Sequence, residues 1–512
     1  MSEVDGIESS SERLPGLGIE LSNIGAIGTS QFTLYPFTVF IGKNATAKSY
    51  AATVVYALLN ALSARRWSPR FQRQAIVPVP HSPKPTDESQ QRFVNLVGRL
   101  IDQYKSGPPD KYEADEDSFA TTVDSLEPSD RTLCMKVIEE MIVASAESVD
   151  QELSRCFGSE TSSLIRRGAS PPRASIKWTS SLPQIEGDIE VASTGITGRG
   201  KVASVGDLRL IIPILSAGHR GRPTQEEASN IKAYSAISAR DSLWNAALRR
   251  VAPRAHFLPA ARSGIMHTHR LAAAAWMQEA PMFGLRRVDV PVVAGTVSDF
   301  LVETIMAGAQ RPGPLEKIAD QIERNVLHGQ VVVRKGRTAY PDIIFKEGRE
   351  EFPLHLASSM ISELAPLVLT IRFRLHPEEL LIIEEPEAHL HPGGQVSFAR
   401  AISSLVRAGV RVMVTTHSDY FLSELNNLIR SGQLRKQTST EAPPSEYLDS
   451  DEVAAYLFDR KDSMSGVDVT RLDIDPIVGI PMSQIDEVVG TLHERAVEME
   501  RRLEEGGSGF AR

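Results

Sequence analysis

Residues 380–387 read Leu-Leu-Ile-Ile-Glu-Glu-Pro-Glu, an apolar run that stops at two adjacent acids and a proline. Four bulky apolar residues in a row suit a strand buried on both faces of a parallel sheet. Two carboxylates at its end suit chemistry at the carboxyl edge of that sheet, where open α/β folds place their ligands. Buried charge costs several kcal/mol unless it is paired or metal-bound, so magnesium with a nucleotide is the ligand these acids call for. Adjacent strand residues point to opposite sides. Glu384 can therefore orient the water shell of a magnesium ion while Glu385 polarises an attacking water. The bland alternative is a pair of solvated acids after a buried strand. A second apolar strand, Val412-Met413-Val414-Thr415-Thr416-His417-Ser418, ends in polar groups about 30 residues later, and His417 there could contact a γ-phosphate.

Near the other end of the chain, Thr38-Val39-Phe40-Ile41 leads into Gly42-Lys43-Asn44-Ala45-Thr46-Ala47-Lys48-Ser49. The frame matches Gly-x-x-x-x-Gly-Lys-Ser, a strand–loop–helix turn whose backbone N–H groups cradle phosphates at a helix N-terminus. In that frame Gly42, Asn44, Ala45, Thr46 and Ala47 line the phosphates. Lys48 neutralises β- and γ-phosphate oxygens, and the Ser49 hydroxyl, with Glu384, ligates magnesium. Ala47 stands where the motif has glycine, and Ala45 where a second glycine is common. A left-handed alanine costs about 1–2 kcal/mol, which predicts weakened nucleotide binding. Further along, Ser358 or Ser359 is a good N-cap for a helix carrying Ser362 and Glu363 in its first turn. Beyond plain capping, such a helix end can bind the γ-phosphate of a nucleotide held by another subunit.

These residues need elements to hold them. Strands are predicted over Leu17–Leu21, Phe32–Leu34 and Phe37–Ile41, then a helix from Ser49 to about Ala64, after a polar leader at 1–14. Residues 15–64 are the first part of a phosphate-binding core. Residues 65–250 read as an inserted mixed helical and β region. In it the acidic run Glu113–Asp117 is a solvated loop, helices cover Arg92–Ile101 and Leu133–Cys156, and strands cover Ala174–Trp178, Ile185–Val191 and Leu208–Ile212. From 251 to 430 the rhythm is strand and helix again: strands at His256–Pro259, Asp342–Phe345, Leu380–Glu384 and Val410–Thr415, helices at Met360–Arg372 and Gln395–Ala408. That rhythm predicts a parallel sheet with helices on its faces. Residues 431–512 form a C-terminal tail with an amphipathic helix over Gln484–Leu503.

Bulk composition excludes several classes. Apolar content of 41% and charged content of 24% are ordinary for a globular protein. The net charge of −9 offers no global attraction to nucleic acid or anionic lipid. The only cysteines, Cys134 and Cys156, have no metal-ligand spacing, which argues for a reducing compartment. The acidic N-terminus does not read as a signal peptide, and no apolar run approaches the roughly 20 residues that span a bilayer. The expectation is a cytoplasmic protein.

Taken together, Gly42–Ser49, Ser358–Glu363, Leu380–Glu385 and Thr415–His417 stand in the order of phosphate loop, signature, Walker B and switch histidine. In this the chain resembles ATPases of the ABC class. It is most similar to prokaryotic ABC-like AAA ATPases related to the overcoming-lysogenization-defect proteins and to the SMC and RecF group. Glu384-Glu385-Pro386-Glu387-Ala388-His389-Leu390-His391-Pro392 is very like that group's Glu-Glu-Pro-Glu-x-His-Leu-His-Pro, and Phe257–Gly264 looks like a segment found in some members. The likeness covers roughly residues 17–60 and 255–425. It implies an α/β P-loop NTPase with a parallel sheet, helices on both faces, N-terminal antiparallel strands and a large insertion. It also implies ATP and magnesium as cofactors, Glu385 as general base, and a head-to-tail homodimer in which Ser358 of one copy (or Ser359) meets ATP held by the other. The setting it implies is DNA maintenance or phage defence, often beside a separate effector protein. Ser-Ser-Met-Ile replaces the usual Ser-Gly-Gly-Gln of the signature, which with Ala47 implies slow turnover.

Three rival readings remain at this level. A non-hydrolysing nucleotide-binding scaffold fits Ala45, Ala47 and the altered signature. A metallohydrolase would use His267-Thr268-His269, or His389 and His391 with Glu385 or Glu387, but no third ligand accompanies His267. Two basic, aromatic-flanked segments, Arg65-Arg66-Trp67 with Arg70-Phe71-Arg73 and Arg166-Arg167 with Arg173, Lys177 and Trp178, are candidate nucleic-acid contacts; solvated faces are the alternative. Asp473-Ile474-Asp475 reads as a strand with exposed acids.

Overall fold

The computed structural model describes residues 16–63, 86–106, 113–115, 118–181, 183–214, 225–249, 251–268, 293–307, 311–334, 341–438, 446–462 and 466–481, with isolated positions beyond. The expected leader at 1–14, the basic segment at 65–73 and most of the amphipathic helix at 484–503 lie outside the described residues. The chain opens with β1 (Leu17–Ile24), β2 (Ile27–Leu34), β3 (Phe37–Ile41) and α1 (Lys48–Leu62). Then come α2 (Asp87–Ser106), β4 (Glu113–Asp115), β5 (Ser118–Thr122), α3 (Pro128–Phe157), β6 (Arg173–Ser181), β7 (Gln184–Ala192), β8 (Gly195–Ser204), β9 (Arg209–Pro213) and α4 (Gln225–Leu248). The second half holds β10 (Ala255–Leu258), α5 (Gly295–Met306), α6 (Glu316–Ile322), β11 (Gln330–Arg334), β12 (Asp342–Glu347), β13 (Glu350–Pro353) and α7 (Ser359–Phe373). It closes with β14 (Leu380–Glu384), α8 (Pro392–Arg407), β15 (Arg411–Thr416), α9 (Asp419–Thr438), β16 (Val453–Asp462) and β17 (Gly466–Leu472).

One sheet carries the order β10-β14-β15-β3-β16-β17-β2-β1-β6-β7-β8. Its first five strands are parallel; β17 runs antiparallel to β16 and parallel to β2, and from β2 onward the pairing is antiparallel. The parallel strands are apolar throughout because both faces are covered. Leu380 and Ile382 of β14 point into one core with Phe40, Met413 and the buried side of α1. Leu381 and Ile383 point into a second core with Val39, Val412, Val414 and the buried faces of α7 and α8. That two-sided burial is the physical content of the Leu-Leu-Ile-Ile run.

Three local expectations change. Asp342–Phe345 does form a strand, but in a separate antiparallel sheet, β11-β12-β13, rather than in the parallel one. Two of the acids expected in a loop at 113–117, Glu113 and Asp115, lie in β4, which pairs with β5. Asp473-Ile474-Asp475 lies outside any strand and leads into a turn at 476–478: Asp475 Oδ1 accepts from the N–H groups of Ile477 and Val478, both at 2.7 Å, so its acid caps that turn. Among the described residues no helix is long and apolar enough to cross a membrane.

Candidate nucleotide site at the carboxyl edge of the sheet

Strand register places the chemistry. Leu258 pairs with Ile383, Glu384 with Thr415, and Thr416 with Ile41. The four neighbouring strands therefore end level, and Gly42, Glu384-Glu385 and His417 leave the sheet in adjacent columns at one edge.

The loop after β3 is closed by its own side chains. Lys48 Nζ donates to the carbonyls of Gly42 (2.6 Å) and Lys43 (2.8 Å), and Thr46 Oγ1 donates to Lys43 O (2.8 Å). Asn44, Ala45 and Ser49 stay exposed, while Lys48 is buried. Burial pushes the Lys48 ammonium below the usual lysine range, against the opposing pull of the Glu385 and Glu387 carboxylates. Ala47 precedes α1 with φ +63° and offers no side-chain cap, so no capping side chain engages the first-turn N–H groups. Ala45 is also left-handed, at +62°. Gly42, at φ +152°, admits no side chain, since a Cβ would run into the Phe458 carbonyl of neighbouring β16.

Across the edge, Glu384 is buried and accepts from Ala260 N–H at 3.1 Å. Burial raises its pKa; the Ser49 hydroxyl, the Ala260 amide and Arg262 pull it back, and Glu385 adds to the rise. Its Oε1 has no hydrogen-bond partner. A buried carboxylate oxygen without a donor, beside a serine hydroxyl, is a donor set that fits a hard divalent cation. Glu385 turns the chain at φ +45° and is half-buried, its N–H donating to Thr415 O at 3.0 Å. His417 is exposed beyond β15.

Three residues given no role in the nucleotide site from sequence organise this edge. Glu387 is buried, and its Oε1 accepts from Thr416 Oγ1 and from His417 N–H, each at 2.9 Å, with His417 Nδ1 at 3.3 Å. Its Oε2 has no partner. Arg262 and Glu363 form a buried ion pair at 2.8 Å behind the strand ends. Glu387 stood within the quoted acidic motif and Arg262 within Phe257–Gly264; their burial carried no signal in residue type alone. Ser358 lies apart from these groups, exposed at the N-cap of α7, where its Oγ accepts from Ile361 N–H at 3.4 Å. Ser359 is exposed beside it as the first helical residue.

The rival sites look different once folded. His267 Nε2 lies 3.1 Å from Ser362 Oγ, His391 caps α8, and His389 is an exposed left-handed turn residue. His269 is outside the described residues. Among the described residues no three His, Cys, Asp or Glu side chains form a metal cluster. In the basic segment around β6, Trp178 is 1% exposed and cannot stack on a base. Arg173 pairs with Glu190 and Lys177 with Glu20, so these two cations sit in a cross-strand charge ladder on a solvated face.

In its strand-end motifs the chain is similar to P-loop ATPases of the ABC-like AAA class. The family model described as "AAA domain, putative AbiEii toxin, Type IV TA system" matches residues 275–423, which contain the strand-end acids and His417. Solved structures similar to the chain include an Smc head bound to the C-terminal winged-helix domain of ScpA, at 12% identity and TM-score 0.39, covering 90% of this chain and 97% of that one. The SMC head domain from Thermotoga maritima matches at 9% identity and TM-score 0.34, covering 90% and 99%. An Smc head with an extended coiled coil, bound to the C-terminal domain of ScpA from Pyrococcus furiosus, matches at 11% and 0.36, covering 94% and 100%. No curated protein matches.

Proposed function

We propose that this chain binds ATP with magnesium at the 42–49 loop and hydrolyses it, and that it works as a dimeric conformational switch. The observation that carries the reading is the strand register, which ends β3, β14 and β15 level and so brings the 42–49 loop, the buried Glu384 with Glu385, and His417 to one sheet edge. Gly42, Asn44, Ala45, Thr46 and Ala47 give the phosphates backbone N–H groups, and Lys48 leaves its loop carbonyls for phosphate oxygens. Ser49 and Glu384 are the residues that would hold magnesium. Bound there, the ion would neutralise phosphate charge. Glu385 takes the proton of the attacking water, and His417, oriented by Glu387, faces the γ-phosphate. Ser358 of a second copy completes the site in a head-to-tail homodimer, and the 65–250 insertion passes the closed state to a separate effector protein. DNA maintenance or phage defence is the setting; family resemblance alone supports it.

The test is ATP turnover by wild type and by Glu385→Gln. Loss of a positioned general base is worth about 10²–10⁴ in rate, so the variant should bind ATP normally and turn over at least a hundredfold slower. Equal turnover would support the second reading, a non-hydrolysing nucleotide-binding scaffold, which the altered signature Ser358-Ser359-Met360-Ile361 favours. Lys48→Ala removes binding on either reading; tight ATP binding by that variant refutes the loop assignment.

A further inference from the structure

We propose that Arg262 is a positioning residue that ties the Ser358 end of α7 to the strand-end carboxylates, so that nucleotide bound at the loop is felt at the surface offered to a second copy. This rests on the nucleotide site proposed above. Arg262 is 1% exposed and Glu363, just past the first turn of α7, is wholly buried. The guanidinium spends its donors in two directions. Its Nη1 donates to the carbonyl oxygens of Pro259 (2.9 Å) and Glu384 (2.8 Å). On the other side, Nη2 pairs with Glu363 Oε1 at 2.8 Å and Nε donates to Glu363 O at 3.2 Å. Glu363 Oε2 in turn accepts from Ser263 N–H at 2.7 Å.

The link is needed because β14 stops there. Glu385 leaves the ladder with a left-handed turn, and the carbonyl of Glu384 takes a donor from outside the sheet, as a buried carbonyl must. A guanidinium is a rigid planar fork, so a shift of the Glu384–Glu385 backbone on metal or nucleotide binding carries Glu363 with it. Glu363 is five residues from Ser358, and the Ser362 hydroxyl between them is fixed to Leu354 O at 3.0 Å. The start of α7, from Ser358 to Glu363, therefore moves as one piece.

Amide hydrogen exchange tests the link without requiring turnover. The probe is magnesium with a non-hydrolysable ATP analogue, at protein dilutions where light scattering reports single copies. Wild type should respond at 42–49, at 384–388 and at 358–363. In Arg262→Lys and in the near-isosteric Glu363→Gln, the first two responses should remain and the third should fall at least fivefold. An undiminished response at 358–363 in either folded variant overturns the proposal, as does its absence in wild type, which needs no variant to fold. Absence of any response at 42–49 in wild type refutes the nucleotide site itself and the link with it.

Discussion

Replacing the two loop alanines with glycine separates strain that belongs to the fold from strain that belongs to binding. Ala45 and Ala47 sit at φ +62° and +63°, where an L-residue pays about 1–2 kcal/mol that glycine does not. Glycine gives back about 0.4–1 kcal/mol by loosening the unfolded chain. Ala45 is exposed, so Ala45→Gly should stabilise by about 0.5–1 kcal/mol. Ala47 packs partly against the first core, and loss of its methyl takes back up to about 0.8 kcal/mol, leaving Ala47→Gly near neutral. Both angles are present with Lys48 folded onto its own loop carbonyls, so the strain exists before nucleotide arrives and cancels in the binding free energy. ATP affinity should then change less than about threefold, while the melting temperature of Ala45→Gly rises by about 1–2 °C for a chain of this size. Calorimetric melting and nucleotide titration on the same samples check both. A tenfold gain in affinity, equal to about 1.4 kcal/mol, with no change in melting would refute the reasoning, because the loop would then be adopting its left-handed turns only on binding.

Three further outcomes follow from the same geometry. His256, wholly buried, lies 2.9 Å from Glu303 and 3.0 Å from Glu379. Burial and Arg254 oppose its charge, but the two carboxylates hold its pKa above the ordinary 6.5, and Glu303 falls to about 2 despite burial, under His256 and Arg254. The histidine's contribution to stability is full below 6.5 and is lost as pH rises through its folded value; that of Glu303 is lost as pH falls from 4.5 towards 2. Denaturant midpoints against pH should show both limbs, and His256→Gln should flatten the alkaline one. Glu387→Gln, which weakens a charged hydrogen-bond network worth about 1.5–3 kcal/mol, should lower ATP turnover by roughly tenfold or more with KM within threefold. Gly187→Ala drives a Cβ into the Trp178 indole and should destabilise by about 1–3 kcal/mol, read as a lowered denaturant midpoint.

Sequence disclosed most where a single physical demand dominates. The Leu380–Ile383 run had to be a two-faced strand, and the strand at 37–41 coincides with β3 because its Gly42 breaks the ladder at once. The glycine-rich β8 gave no alternation to read, since Gly198 and Gly200 are there to let the strand lie against α3, where a Cβ would come within 2.8–2.9 Å of the Val143 and Glu139 carbonyls. Helix α4 hid for a related reason: its buried positions include Ala236, Ala239 and Ala247, small residues that blur an apolar stripe. In the site, the acids and His417 were legible by type and by position at strand ends. The roles of Glu387, Arg262 and Glu363 were not, because they depend on which loops meet behind the sheet, and residue type says nothing of that.

The position of β16 has a consequence for the order of assembly. The strand that leads into the 42–49 loop is flanked by β15 on one side and β16 on the other, and Phe37 pairs with both Val412 and Val453. Tyr456 also reaches back to Thr33, with which it exchanges hydrogen bonds at 2.7 and 3.1 Å. During synthesis, residues 37–41 therefore emerge more than 400 positions ahead of one of their two neighbours and keep an open hydrogen-bonding edge until that neighbour arrives. An unpaired apolar strand is a template for misassociation, and pairings of such long range form late. The nascent chain thus depends on being held apart from its copies until residues 453–457 have been made, and any truncation before residue 453 would leave that edge permanently open.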